Sequence, residues 1–493
     1  MKRIITLLYF FFLSTTLHAL EQFDECGELY NILEDQVHKL SLDKPFIPKE
    51  KGFGIFFKDD LTRTIPYKKR VLKRTKENKI LLESMLPQIY EKTKVEPNKI
   101  ILELNGKKVE TLSDKQIFNE NEKKKMLVKF DDGEEIQFLN KEYNIKFILV
   151  NFETREVDEI DSKLSRYKVS FMHTLVWNDE RITELGRKVF DKASLISEKN
   201  QNKSFFCQFT KEEFQKLKIY EPDIILANKV SFEGDSTEIV YEMEFYPKES
   251  EDDYDYVEIR KEIDGIGTFK SNFNFQSFPF DSQDIIFRFQ NNYNTLTDTY
   301  RIMPYFSNYT VEELKRGFSN LQMQEWEKKS IDYNYFYVKD VSMDTYQVGM
   351  SYITNIERNY MYFLSKIYLP IIIILLVSWS VFWINPKEIE ARLTVSIVCL
   401  LSLIAYTFIV DKDLPKLSYL TIMDFIILLS YFFSSIPTIG TIYVNLFNND
   451  NVKVKRIDNF FKFFVPFLYL FSFILICTLI IMKSSNTISA LKF

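Results

Sequence analysis

Histidine is the scarcest reactive residue of this chain. His18, His38 and His173 are all that 493 residues hold, and none stands at a metal-ligand spacing from another. A nucleophile elbow and a phosphate loop are missing too, so no enzymatic activity and no resident cofactor are expected. Nor is there an excess of one charge. The formal net charge of -5 argues against a nucleic-acid partner, which would favour a basic face. Cysteine is sparse: Cys399 and Cys477 fall in hydrophobic blocks, which leaves Cys26 and Cys207 outside them. These two are far apart in sequence and expected in different domains, so no structural disulfide framework is expected. Glycine is low as well, 12 residues against 46 Phe and 28 Tyr, an aromatic and apolar-rich balance.

The apolar residues are concentrated. The length suits two or three domains, and the last third carries four hydrophobic blocks: Met361 to Ile384, Ala391 to Val410, Tyr419 to Val444 and Phe460 to Met482. Each has the ~20 apolar residues that a helix needs to cross ~30 Å of hydrocarbon. Tyr362, Trp379, Trp383 and Tyr419 lie near their ends, as an interfacial belt would place them. At the other end, Lys2 and Arg3 precede an apolar run from Ile4 to Leu13 with small residues near Ala19, which reads as a signal peptide over 1–19 or an uncleaved anchor. Either directs the chain after residue 19 out of the cytoplasm. Lys387 and Arg392, and Lys453, Lys455 and Arg456, load the loops that the positive-inside rule puts in the cytoplasm, in agreement with that export.

Within the second block, Glu390, Thr394, Val398, Leu401, Ala405 and Phe408 recur at intervals of 4, 4, 3, 4 and 3 residues, one face of a helix. From the cytoplasmic end the stripe runs acid, hydroxyl, then apolar. In a ring of identical helices it would form a carboxylate ring beneath a hydrophobic constriction, the first selecting cations and the second closing by dewetting. Arg392 lies about 200° round the helix from Glu390 at ~100° per residue and is expected to point away from that axis.

Several motifs carry a resemblance. Gly267 to Gln283, with Phe278-Pro279-Phe280-Asp281 at its core, resembles the signature loop of Cys-loop receptors, although Ser271 and Ile285 stand where eukaryotic members have cysteines. Trp177-Asn-Asp-Glu-Arg-Ile182, Pro222-Asp223 with Asn228, Arg358, Pro370 and Asp413-Leu-Pro-Lys416 match the same family in order. Over roughly 141–493 the chain is similar to prokaryotic pentameric ligand-gated ion channels, which lack the loop cysteines.

The resemblance implies a mixed fold: an extracellular, ten-stranded β-sandwich ligand-binding domain over 141–358, and a four-helix transmembrane bundle over 359–493. It also implies a homopentamer in a prokaryotic inner membrane, passing cations and opened by a small molecule or ion that binds the sandwich. Strand-like stretches support the sandwich independently: Asn144 to Phe152, Lys168 to Trp177, Ile239 to Phe245 and Ile285 to Phe289. The junction implied for gating pairs Asp281 with Arg358, beside Pro279, the loop around Asp161, and the turn carrying Pro415 and Lys416. Alternatively Asp281 holds only its own turn. The implied ligand pocket takes Asn228, Tyr293 and the tip bearing Tyr333, Tyr335 and Tyr337 from one subunit and Met172 from the next. The three tyrosines could equally be an exposed hairpin face. Anion-selective relatives also carry an arginine at the position of Arg392, but after a proline rather than a glutamate.

Three features remain. Residues 20–140 form an extra N-terminal α+β domain, in which Gly52-Phe-Gly-Ile-Phe-Phe57 and Asn98 to Val109 are similar to a PDZ module that captures a peptide; an unrelated small β/α module is the alternative. The acidic run Glu249 to Asp255, with Asp252 and Asp253, is either a solvated loop or a site for a divalent cation such as calcium. Asp424 near the end of the third block is either functional or a satisfied interfacial carboxylate. A non-conducting receptor that binds a protein partner is the competing function, and the pore stripe discriminates against it.

Overall fold

The computed structural model describes residues 25–44, 49–58, 72–120, 123–144, 146–161, 164–196, 205–233, 238–247, 255–292, 300–304, 326–340, 344–410, 417–446, 456, 458–475 and 478. The signal-peptide segment, Cys477, Asp252, Asp253, Tyr293, Pro415 and Lys416 lie outside them.

Alternation of apolar and polar residues builds the sandwich. Strand β16 (Ser282–Asn291) buries Ile285, Phe287 and Phe289 on one face, and β10 (Arg166–Asn178) buries Val169, Phe171 and Leu175. One sheet joins β10 to β9 (Lys146–Asp161), β11 (Phe205–Thr210), β13 (Lys229–Phe232), β14 (Glu238–Tyr246), β15 (Tyr256–Lys270) and β17 (Tyr300–Pro304). Its order is β11-β14-β15-β10-β9-β17, with β13 also paired to β15. The second sheet joins β16 to β12 (Ile224–Leu226) and to the long hairpin of β18 (Trp326–Asp340) and β19 (Thr345–Arg358), in the order β12-β16-β19-β18. Among the described residues the two sheets hold seven and four strands, where the resemblance implies about ten in total. The described residues of all four stretches read as strand-like fall within strands, Asn144 at the end of β8 (Lys141–Asn144), which pairs with β1 (Lys49–Gly52), and the others in β9, β10, β14 and β16. Between the sheets the rings of Phe152 and Phe287 stack at 3.6 Å, and burying one such ring contributes about 1.5–3 kcal/mol.

The Trp177 to Ile182 motif performs a local task. Trp177 enters the core, and the Asp179 carboxylate accepts from the Arg181 N–H to start α4 (Glu180–Ile196). The Arg181 guanidinium then donates to the carbonyls of Leu40, Ser41 and Lys44, which pins the segment after α1 (Glu25–Gln36). Helix α1 buries Leu29 and Leu33 in the sandwich core, not in the small domain. Cys26 and Cys207 form a disulfide, with Cα atoms 5.4 Å apart across 181 residues of sequence. This corrects the sequence expectation of an unbridged pair in separate domains: α1 returns to the sandwich although the chain between α1 and β9 builds another body. The strands of that body are β2 (Ile55–Phe57), β3 (Ile80–Met85), β4 (Ile100–Leu104), β5 (Lys107–Lys108), β6 (Lys125–Phe130) and β7 (Glu135–Leu139). They form a six-stranded sheet, β2-β3-β4-β6-β7 with β5 on β4, accompanied by two short helices, α2 (Pro87–Thr93) and α3 (Asp114–Glu120). The Asn105-Gly106 turn joins β4 to β5 with φ of 50° and 76°, the left-handed geometry of a tight hairpin.

Among the described residues four helices are long and apolar enough to cross a membrane: Met361–Trp383, Ile389–Phe408, Ile422–Asn445 and Asp458–Leu475. Thr421 and Asp424 form a reciprocal capping box that starts the third, with Thr421 N–H donating to the carboxylate at 2.8 Å and Asp424 N–H donating to the hydroxyl at 3.2 Å. Asp424 is thus satisfied at the helix end.

Candidate pore face and gating junction

Along the second span, Glu390, Thr394, Val398, Leu401, Ala405 and Phe408 are all exposed on the single chain, whereas Cys399 and Leu403 pack inward. Leu401 and Phe408 are 58% and 74% exposed, large apolar side chains that the chain's own bundle leaves uncovered. Ile397 and Ile404 flank the stripe and are exposed too; the strict 3-4 spacing missed them because an exposed face is wider than one row of residues. Arg392 is 1% exposed and grips Asp458 at the start of the fourth span through two bonds, 3.0 and 2.6 Å. Its charge is neutralised inside the bundle, on the side away from Glu390.

The junction forms around Asp281 and Arg358. Nε of Arg358 donates to Asp281 at 2.7 Å, Gln283 donates to the other carboxylate oxygen at 2.7 Å, and both ionic groups are buried. The Arg358 guanidinium also lies over the rings of Trp326 and Phe278, at 4.0 and 4.9 Å from their centroids. Pro279 succeeds Phe278 through a cis peptide in the same loop. Phe275 and Phe278 sink into the core of the helical bundle, Phe278 edge-on to Phe363 of the first span. The N–H groups of Ile422 and Met423 donate to the carbonyls of Gln276 and Phe278, so the loop caps the third span as well. Asp161 lies at the neighbouring loop, where β9 ends. It accepts from Leu164 N–H within the β9–β10 turn, while neighbouring Ile160 packs against the bundle.

The expected ligand residues are differently employed. Tyr333 and Tyr335 are 0% and 5% exposed and are neither a tip nor an open hairpin face. Tyr333 donates to Glu83 of β3 at 2.6 Å, and Tyr335 donates to the Ile302 carbonyl at 2.7 Å. The Tyr337 hydroxyl accepts from Met85 N–H and donates to the Met85 carbonyl, both at 2.7 Å, and its ring stacks on Tyr90 at 3.7 Å. The small domain thus covers this face of the β18–β19 hairpin. Glu83 also binds Arg301, which donates to Ser84 at 2.6 Å and lies over Phe56. Lys58, held below the usual lysine range by burial and supported by Asp332, donates to the Tyr333 carbonyl and to Asn334. Glu83, Arg301 and Lys58 carried no sequence signal, since their partners stand more than 200 residues away. Asn228 spends its amide on the backbone of Lys270, Ile286 and Arg288, tying a turn across the sandwich. Met172 is half-buried beside Arg155. Among the described residues no group of three or more His, Cys, Asp or Glu could hold a metal.

Residues 367–472 match the neurotransmitter-gated ion-channel transmembrane region family. The chain is 25% identical over 318 residues to a gamma-aminobutyric acid receptor subunit beta of Lymnaea stagnalis, covering 59% of this chain and 53% of that protein. It is 23% identical over 293 residues to a proton-gated ion channel of Gloeobacter violaceus, covering 58% and 68%. A gamma-aminobutyric acid receptor subunit gamma-1 of Rattus norvegicus is 31% identical over 102 residues, 20% of this chain and 22% of the relative. The chain thus spans about half of the first relative and a fifth of the last, and these relatives are channels or receptor subunits, not enzymes. This membrane protein carries a neurotransmitter-gated ion-channel transmembrane region and is similar to ligand-gated channels of the Cys-loop, or pentameric, superfamily.

Proposed function

We propose that five copies of this chain form a cation-selective channel in a prokaryotic inner membrane, opened by an extracellular ligand and closed by an apolar constriction in the second span. The observation that carries the reading is the pairing of Glu390, exposed beneath Val398, Leu401 and Phe408, with an Arg392 that is turned away and bound to Asp458. Five carboxylates at the inner mouth attract cations, and the five guanidinium groups that would oppose them are consumed in the bundle. The proton-gated relative makes extracellular acid the first stimulus to apply.

The test is the reversal potential of the full-length protein in planar bilayers under a KCl gradient. It is expected near the potassium potential, and Glu390→Gln is expected to move it towards zero. A reversal potential near that of chloride overturns cation selectivity, and an absence of conductance under acid, calcium and amine trials overturns the channel reading.

A further inference from the structure

The first span is not a uniform α-helix. It winds as a π turn over Leu364–Tyr368, with Leu369 N–H reaching the Leu364 carbonyl, and Pro370 comes directly after. Proline has no N–H, so the Lys366 carbonyl four residues earlier lacks the donor that an α-helix would bring to it. A membrane offers little water in compensation, and such a carbonyl is satisfied by a neighbouring helix.

The neighbour here is the second span. The Tyr406 hydroxyl donates to the Lys366 carbonyl at 2.5 Å, with the Ile367 carbonyl 3.5 Å away. The next residue, Thr407, meets the hydroxyl of Tyr431 on the third span. Tyr406 is half-buried on the bundle side of a helix whose Ala405 and Phe408 remain exposed.

We propose that Tyr406 is a positioning residue for the pore. Its hydroxyl occupies the acceptor that Pro370 releases and so holds the outer end of the second span, with Phe408, in one rotational setting against the first span. Losing that bond frees the helix end to turn, which changes how far Leu401 and Phe408 project. The inference rests on the second span lining the pore; the bond between the two helices does not.

Hydrogen exchange of the full-length protein in lipid nanodiscs separates the two questions. Tyr406→Phe keeps the ring and deletes the donor, and exchange across 361–370 is expected to rise roughly five-fold, the usual worth of one hydrogen bond. In a Pro370→Ala background, or Pro370→Leu if the first does not assemble, residue 370 supplies its own N–H. The increment from Tyr406→Phe should then largely vanish. Thr407→Val should leave 361–370 unaltered. Equal increments in both backgrounds, or the same increment from Thr407→Val, would overturn the specific bond. In bilayer recordings Tyr406→Phe should change the open-to-closed ratio by a similar factor; an unchanged ratio alongside altered exchange overturns the positioning role. A wild type that never conducts sinks the pore reading and leaves the exchange result standing.

Discussion

The Tyr333 hydroxyl lies 2.6 Å from the Glu83 carboxylate, joining a strand of the sandwich to a strand of the small domain at a fully buried position. Arg301 completes the set, with 2% of its side chain exposed. The same hairpin that receives the small domain ends at Arg358, in contact with the membrane bundle.

Removing one member of this buried set should cost far more than removing a surface ion pair. Glu83→Ala leaves the Arg301 guanidinium buried without its counter-charge, and such losses run to about 3–5 kcal/mol. Limited proteolysis of the detergent-solubilised protein is expected to release the small domain from the variant before the sandwich is cut. Surface Lys39→Ala, which breaks an exposed pair with Asp35, is expected to leave the cleavage pattern unchanged. Simultaneous cleavage of both bodies in Glu83→Ala would refute the local character of the clamp.

The junction offers a second contrast. Asp281→Asn keeps shape but leaves Arg358 and its aromatic bed with an uncompensated charge, whereas Asp281→Asn with Arg358→Gln removes both charges. The single variant is expected to lower the melting temperature and alter opening more than the double variant does. A double variant as impaired as the sum of its parts would show that the two residues act separately.

His173 predicts an acid response of the sandwich itself. It is buried between Phe152 and Phe289 with both ring nitrogens unpartnered, and burial, aided by Lys261, lowers its pKa to about 3. The unfolded imidazole titrates at about 6.5. Between these values the unfolded chain binds a proton that the folded chain refuses, so stability present above pH 6.5 is lost as pH falls towards 3. The loss approaches about 1.4 kcal/mol per pH unit. Thermal melts from pH 7 to pH 4 are expected to show a shallower decline for His173→Leu than for wild type. Parallel curves would mean that the histidine finds a partner when it is protonated.

Legibility in the sequence tracked the range of the interactions. The four spans were readable because each needs only its own apolar length, and the exposed stripe of the second span because a helix repeats every few residues. Asp281 with Arg358 was readable through ordered motifs. The roles of Tyr333, Tyr335 and Tyr337 were not, since their alternation fits an open strand face as well as a covered one. Only a second body, folded elsewhere in the chain, decides between those readings.

Composition and periodicity by themselves determined a membrane bundle beneath a β-rich region, because hydrophobic length and strand alternation are local consequences of solvent and backbone geometry. The tertiary structure alone decided that Cys26 meets Cys207, that Glu83 and Arg301 neutralise each other, and that the Tyr406 hydroxyl meets the Lys366 carbonyl. Each of those contacts depends on the position of two segments distant in sequence, and a buried charge or an orphaned carbonyl finds its partner only once the surrounding chain has packed.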